Sequence, residues 1–120
     1  MANVKQKDIY DRIYRFVLQV LSIVKEIPPL IENVVIIKQL IRSASSIGAN
    51  ANEADGAESK KDFIHKLTIA KKEAKETKYW LLLLSDHNPK IKEKFSSLLD
   101  EISQLILIIS KIIINTKNNL

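Results

Sequence analysis

The chain of 120 residues contains no cysteine, two glycines and three prolines. Without cysteine, neither a disulfide framework nor a thiolate metal site can form. Glycine and proline together fall well below the about 12% of an average chain. The chain therefore has few places to turn sharply, and long uninterrupted helices are expected. There is no glycine-rich phosphate loop and no dinucleotide fingerprint. No serine stands in the sharp strand-to-helix turn that presents a nucleophile. The longest uncharged apolar stretch, Ile102 to Ser110, is about half of the ~20 residues a membrane span needs. The N-terminal MANVKQKDIYDR is not followed by the small and apolar run of a secretory leader, so a cytoplasmic location is expected.

What is present is a strong helical period. Ile9, Ile13, Phe16, Val20, Ile23 and Ile27 recur at steps of three and four, with Tyr10, Tyr14, Val17, Leu21 and Val24 as a second stripe beside them. That sector is wider than a two-helix seam requires. Pro28-Pro29 ends the first helix. A second is expected from Asn33 as N-cap, with Ile37, Leu40, Ala44, Ile47, Ala51 and Ala54 inward and Gly56 as its stop. Ser59 with Asp62 resembles a capping box opening a third helix, whose inward line is Phe63, Leu67, Ala70, Ala74, Thr77, Leu81 and Leu84. Asn88-Pro89 then caps and starts a fourth, with Ile91, Phe95, Leu98, Ile102, Leu105, Ile109 and Ile112 on one face. Short connections make neighbouring helices antiparallel. The expected fold class is all-α, an up-down-up-down four-helix bundle forming a single domain over residues 1–120.

Leu99, Ile106, Leu107, Ile108, Ile113 and Ile114 cover most other directions of the last helix. A helix apolar nearly all round needs cover on several sides, and exposure of so much surface invites aggregation. A homo-oligomer is expected, joined through the first and fourth helices.

The second helix also carries small residues, Ala44, Gly48, Ala51 and Ala54, which allow close helix packing. On another line it bears Gln39, Ser43, Ser46, Asn50 and Glu53. Lys75, Glu76 and Thr77 on the third helix could meet this polar stripe, and Arg42 could fork onto a carboxylate such as Glu76. The simplest role for the stripe is a hydrogen-bonded register lock, and the alternatives are a ligand or polymer contact at Asn50 and Glu53 or a plain solvated surface.

The stretch QLIRSASSIGANANEADGAESKKDFIHKLTIAKKEAKETKYWLLLL, Gln39 to Leu84, resembles the signature of the four helix bundle protein family, also called the 23S rRNA intervening-sequence protein family. Its pattern falls on Gln39, Leu40, Arg42, Ser43, Ser46, Ile47, Asn50, Glu53, Ala54, Asp62, Phe63, Ile69, Ala70, Glu73, Glu76 and Thr77. Ala54 stands where one branch has glycine, and the first helix lacks the L-x-V-W start of many members. The resemblance implies a small four-helix bundle that closes into a ring, a homopentamer, with no established catalysis. A related group, the accessory proteins of diversity-generating retroelements, binds RNA and a reverse transcriptase.

The net charge is +5, which admits a polyanion partner without demanding one. Lys60, Lys71, Lys75 and Lys78 can share a sector of the third helix, with Tyr79 and Trp80 at its end, and are the candidate nucleic-acid contacts. The only metal-like spacing is Asp62-x-x-His65 near Glu58, with no second motif to complete a bundle site, and Asp62 has a capping role available. Asp62 with Lys66, and Lys72 with Glu76, are expected as i,i+4 pairs on a solvated face. The expected role is a non-catalytic oligomeric scaffold or binding protein without a cofactor. An RNA-binding accessory protein is the alternative in the same class, and a metal- or ligand-dependent enzyme in the bundle core is the alternative in another.

Overall fold

The computed structural model describes residues 4–119. They form α1 (Val4–Ile23), continued by a 3-10 turn at Val24–Glu26, then α2 (Ile31–Asp55) and α3 (Lys60–His87). A 3-10 segment, Pro89–Phe95, leads into α4 (Ser96–Asn118). Each helix packs on its neighbours in sequence, and α4 returns to close against α1, giving an antiparallel four-helix bundle of 48 × 21 × 18 Å. Among the described residues there is no strand, and no helix is long and apolar enough to cross a membrane.

The helical period identified the core lines. Ile9, Ile13, Phe16, Val20, Ile23 and Ile27 are all buried, as are Leu40, Ala44, Ile47, Ala51 and Ala54 of α2. Leu67, Ala70, Ala74, Thr77, Leu81 and Leu84 of α3 complete one wall, and Phe95, Leu98, Ile102, Leu105 and Ile109 the other. The small residues bring α2 and α3 close enough for the Thr77 hydroxyl to donate to Ser43 Oγ at 2.8 Å, within the core. Gly48 turns toward α1, where an added Cβ would meet Val17 and Ile13 at ordinary distances of 3.8 and 3.9 Å. An alanine would fit there, so the close packing does not depend on that glycine.

The ends of the helices depart from the expected boundaries. Leu30, not Asn33, is the N-cap of α2, and it makes no side-chain capping bond. Asn33 is fully buried and donates to Pro28 O and to Asn88 Oδ1, both at 2.9 Å. Asn88 returns a bond to Asn33 Oδ1 at 2.9 Å and also donates to Leu84 O. The two amides thus close one end of the bundle. Pro89 does not open α4: the 3-10 segment breaks at Ile91 (φ −116°, ψ 15°), and the α-helix begins only at Ser96. At the other end Ser59 caps α3 as expected, accepting from the Asp62 amide at 3.0 Å. Gly56 ends α2 with φ −97°, so it stops the helix without adopting a left-handed conformation.

The apolar excess of α4 is narrower than its composition suggests. Ile113 is buried in place of Ile112, and Ile106, Ile108 and Ile112 are half-buried against the core. Leu107 and Ile114 remain outside, 71% and 57% exposed. On α1, Tyr14, Leu18 and Leu21 are likewise exposed.

Candidate functional site

The polar stripe of α2 meets α3 along a seam on the bundle surface. Arg42 sits at its centre. Its Nη1 donates to Glu73 Oε2 at 3.1 Å, its Nη2 to Glu76, and its Nε to Gln39 Oε1 at 3.2 Å. Glu76 also accepts from the Trp80 indole N–H at 2.9 Å, four residues along the same helix. Trp80 stands edge-on to Tyr79, ring centroids 4.9 Å apart. The Arg42 fork therefore spans two carboxylates on successive turns, a geometry that fixes the axial register of α2 against α3.

The rest of the stripe does not join that cluster. Asn50 donates to Ser46 O and Ser46 Oγ within α2, while Glu53 pairs with Lys66 at 3.3 Å further along the seam. Ser43 lies beneath, with Thr77. Lys75 is exposed and makes no bond to the stripe. The expected i,i+4 pairs are not formed, because Lys66 is taken by Glu53 and Glu76 by Arg42 across the helix interface. An interhelical partner held by packing outcompetes an exposed intrahelical pair worth a few tenths of a kcal/mol. Chemically the seam is closed on itself: both carboxylates in the Arg42 cluster have a donor, and the guanidinium is committed to Glu73, Glu76 and the Gln39 amide oxygen.

The lysines lie on the opposite flank of α3, the side toward α4. Lys60 donates to Asn119 O at 2.7 Å, tying the start of α3 to the end of α4. Lys71, Lys75 and Lys78 follow on that side by helical position, and none of the three forms an ion pair among the described residues. His65 is exposed, and His87 stands 3.3 Å from Glu32 at the bundle end. Among the described residues no three His, Asp or Glu side chains are grouped as metal ligands.

Two further features were not read from the sequence. Arg12 of α1 binds Glu101 through Nε at 3.1 Å and Nη2 at 2.6 Å, and also reaches Gln104 at 3.2 Å. The hydrogen bond to Glu101 is the main cause that raises the guanidinium pKa. These partners are 89 and 92 positions apart, so only closure of the bundle brings them together. The second is an open groove of about 420 Å³ between α1 and α2, floored by Ile13, Gly48 and Ala51 and walled by Tyr10, Tyr14, Ala49 and Asn52.

Burial, followed by the nearby Asp55 charge, pushes the Tyr10 phenol up to about 12. The folded chain thus holds that proton more tightly than an ordinary tyrosine does, so the associated stability is intact below pH ~10 and is lost as the pH rises toward ~12. In an alkaline ultraviolet titration one of the three tyrosines should ionise late. Tyr10→Phe should remove that late step, and its persistence in the variant would contradict the assignment.

A profile of the 23S rRNA-intervening sequence protein family matches residues 5–111. A solved structure, that of a protein of unknown function from the S23 ribosomal protein family of Bacteroides thetaiotaomicron VPI-5482, is 35% identical with a TM-score of 0.83. The similarity covers 92% of this chain and 98% of that one. No curated protein matches the sequence. The residue pattern, the bundle and both similarities agree, and the chain belongs to the 23S rRNA-intervening sequence protein family.

Proposed function

We propose that this protein is a non-catalytic, self-assembling four-helix bundle that acts in the cytoplasm as a scaffold or binding platform. The observation that carries the reading is exposed apolar surface along the helices: Tyr14, Leu18 and Leu21 of α1 and Leu107 and Ile114 of α4, with Ile31 and Val35 of α2 and Tyr79 and Leu82 of α3 also exposed. Isolated exposed leucines are ordinary on a monomer, but here they fall in lines along helix flanks, and lines of apolar side chains are interaction surfaces. The polar cluster most suggestive of chemistry is committed to fixing helix register, which supports a structural role for it. The copy number five follows from the resemblance. Light scattering at tens of micromolar should give a mass several times that of one chain, and a monomer would overturn the reading.

A second reading, binding of structured RNA, is favoured by one specific observation. Lys71, Lys75 and Lys78 lie on one flank of α3 without an acidic partner among the described residues. Repeated around a ring, such a patch would turn weak contacts into usable avidity. Binding should weaken steeply with salt, and Lys71→Glu/Lys75→Glu/Lys78→Glu should weaken it by about tenfold at moderate salt. Equal affinity in the triple variant, or no binding at low salt, would leave the scaffold alone.

A further inference from the structure

We propose that the Leu107–Ile114 ridge of one copy seats in the α1–α2 groove of the next, so that assembly is head-to-tail and closes by rotation about an axis parallel to the helices. The inference rests on the self-assembly reading and specifies its contact. Three observations carry it.

The first is shape. The groove is floored by Ile13, Gly48 and Ala51 and bordered by Ser45 and Ala49, so small residues leave room there for an apolar side chain. Leu107 and Ile114 are seven positions apart on one side of α4 and project 71% and 57% exposed. Ridge and groove lie on different flanks: the groove is between α1 and α2, whereas the ridge side of α4 carries Leu99 and Ile106 and turns away from Arg12 and its partners. Surfaces of that kind on a single chain cannot satisfy each other within it, and copies that join through them do so heterologously.

The second is level. The Lys60–Asn119 contact places the end of α4 beside the start of α3, and Glu53–Lys66 with Arg42–Glu73 register α2 on the same helix. At ~1.5 Å per residue, Ile114 and Leu107 then lie about 8 and 18 Å from the Lys60 end, and Asn52, Ala49 and Ser45 about 10, 15 and 20 Å. A rotation without translation therefore brings ridge to groove, the condition for a closed ring in place of an open filament.

The third is charge. Lys111 lies between the two ridge residues and Asp100 beyond Leu107, both exposed. On the groove side the Asp55 charge acts on Tyr10, and Lys38 stands toward the other end of α2. At the same rise, Lys111 and Asp55 fall about 12 and 6 Å along the bundle, and Asp100 and Lys38 about 28 and 31 Å. Opposite charges thus face each other at both ends of the contact, which favours this orientation over the reverse.

The test uses two variants that keep the fold, because every changed position is exposed. Leu107→Glu/Ile114→Glu removes the ridge and Ala49→Arg blocks the groove. Each should be monomeric in light scattering at a concentration where the unaltered chain is assembled. An equimolar mixture should form a 1:1 dimer, since one intact ridge and one intact groove remain. Persistent oligomers in either variant, a mixture that stays monomeric, or a self-associating Ala49→Arg protein would each overturn the contact while leaving self-assembly standing. A monomeric unaltered chain would overturn both. Since the sequence lacks cysteine, mixing Ala49→Cys with Leu107→Cys under mild oxidation gives an independent readout: a covalent dimer is expected, and its absence with an assembled protein counts against the proposal.

Discussion

Replacing Asn33 by alanine is expected to lower unfolding free energy by about 2–3 kcal/mol, the cost of stripping partners from buried polar groups. The Asn33 side chain is fully buried and makes three bonds, to Pro28 O and in both directions with the Asn88 amide. Its removal leaves Asn88 Oδ1 without that donor in a closed site, whereas the Pro28 carbonyl keeps the Leu30 amide at 2.8 Å. Urea denaturation should show a lower midpoint at unchanged slope. The double change Asn33→Ala/Asn88→Ala should cost less than the sum of the singles by about 1–2 kcal/mol, because the second substitution removes a group already deprived of its partner. Strict additivity would show that the two amides are not coupled.

Arg42→Ala should cost about 2 kcal/mol. Two charge-assisted bonds are lost, discounted because the Arg42 side chain is 48% exposed. The larger part of the effect comes from Glu73, whose side chain is only 13% exposed and would be left one turn from Glu76 with no cation between them. Lysine at position 42 would keep the charge but cannot fork across both turns, so Arg42→Lys should restore less than half of the loss. Trp80 is the sole tryptophan and its indole donates to Glu76, so its emission reports directly on the cluster. Full rescue by lysine, or unchanged emission in Arg42→Ala, would contradict the register role.

The contrast between Ile47 and Asn33, both on α2, shows what could be read in advance. Ile47 belongs to a repeating line, and each member of such a line predicts the burial of the others through the 3.6-residue turn alone. Asn33 is a good cap and an equally good buried amide. The choice went to burial because Asn88, 55 positions away, arrives to satisfy both ends of the side chain. Lys66 and Glu76 make the same point with charge: local spacing offered Asp62 and Lys72, and the folded chain supplied Glu53 and Arg42. The apolar sides of α4 were legible as an excess, but which of them stayed outside depended on how far α3 and α1 reached around it. Ile106 and Ile108 are half-covered, and Leu107 between them is not.

By itself the sequence determined the number of helices, the face each one buries and the antiparallel order, because hydrophobic period and helix-breaking residues act over a few turns of one chain segment. Only the tertiary structure decided which polar groups became partners, which flank of α3 carries the register lock and which the lysines, and where a groove and a ridge were left uncovered. Those outcomes require segments far apart in sequence to meet at a particular depth and rotation, and no local pattern encodes that.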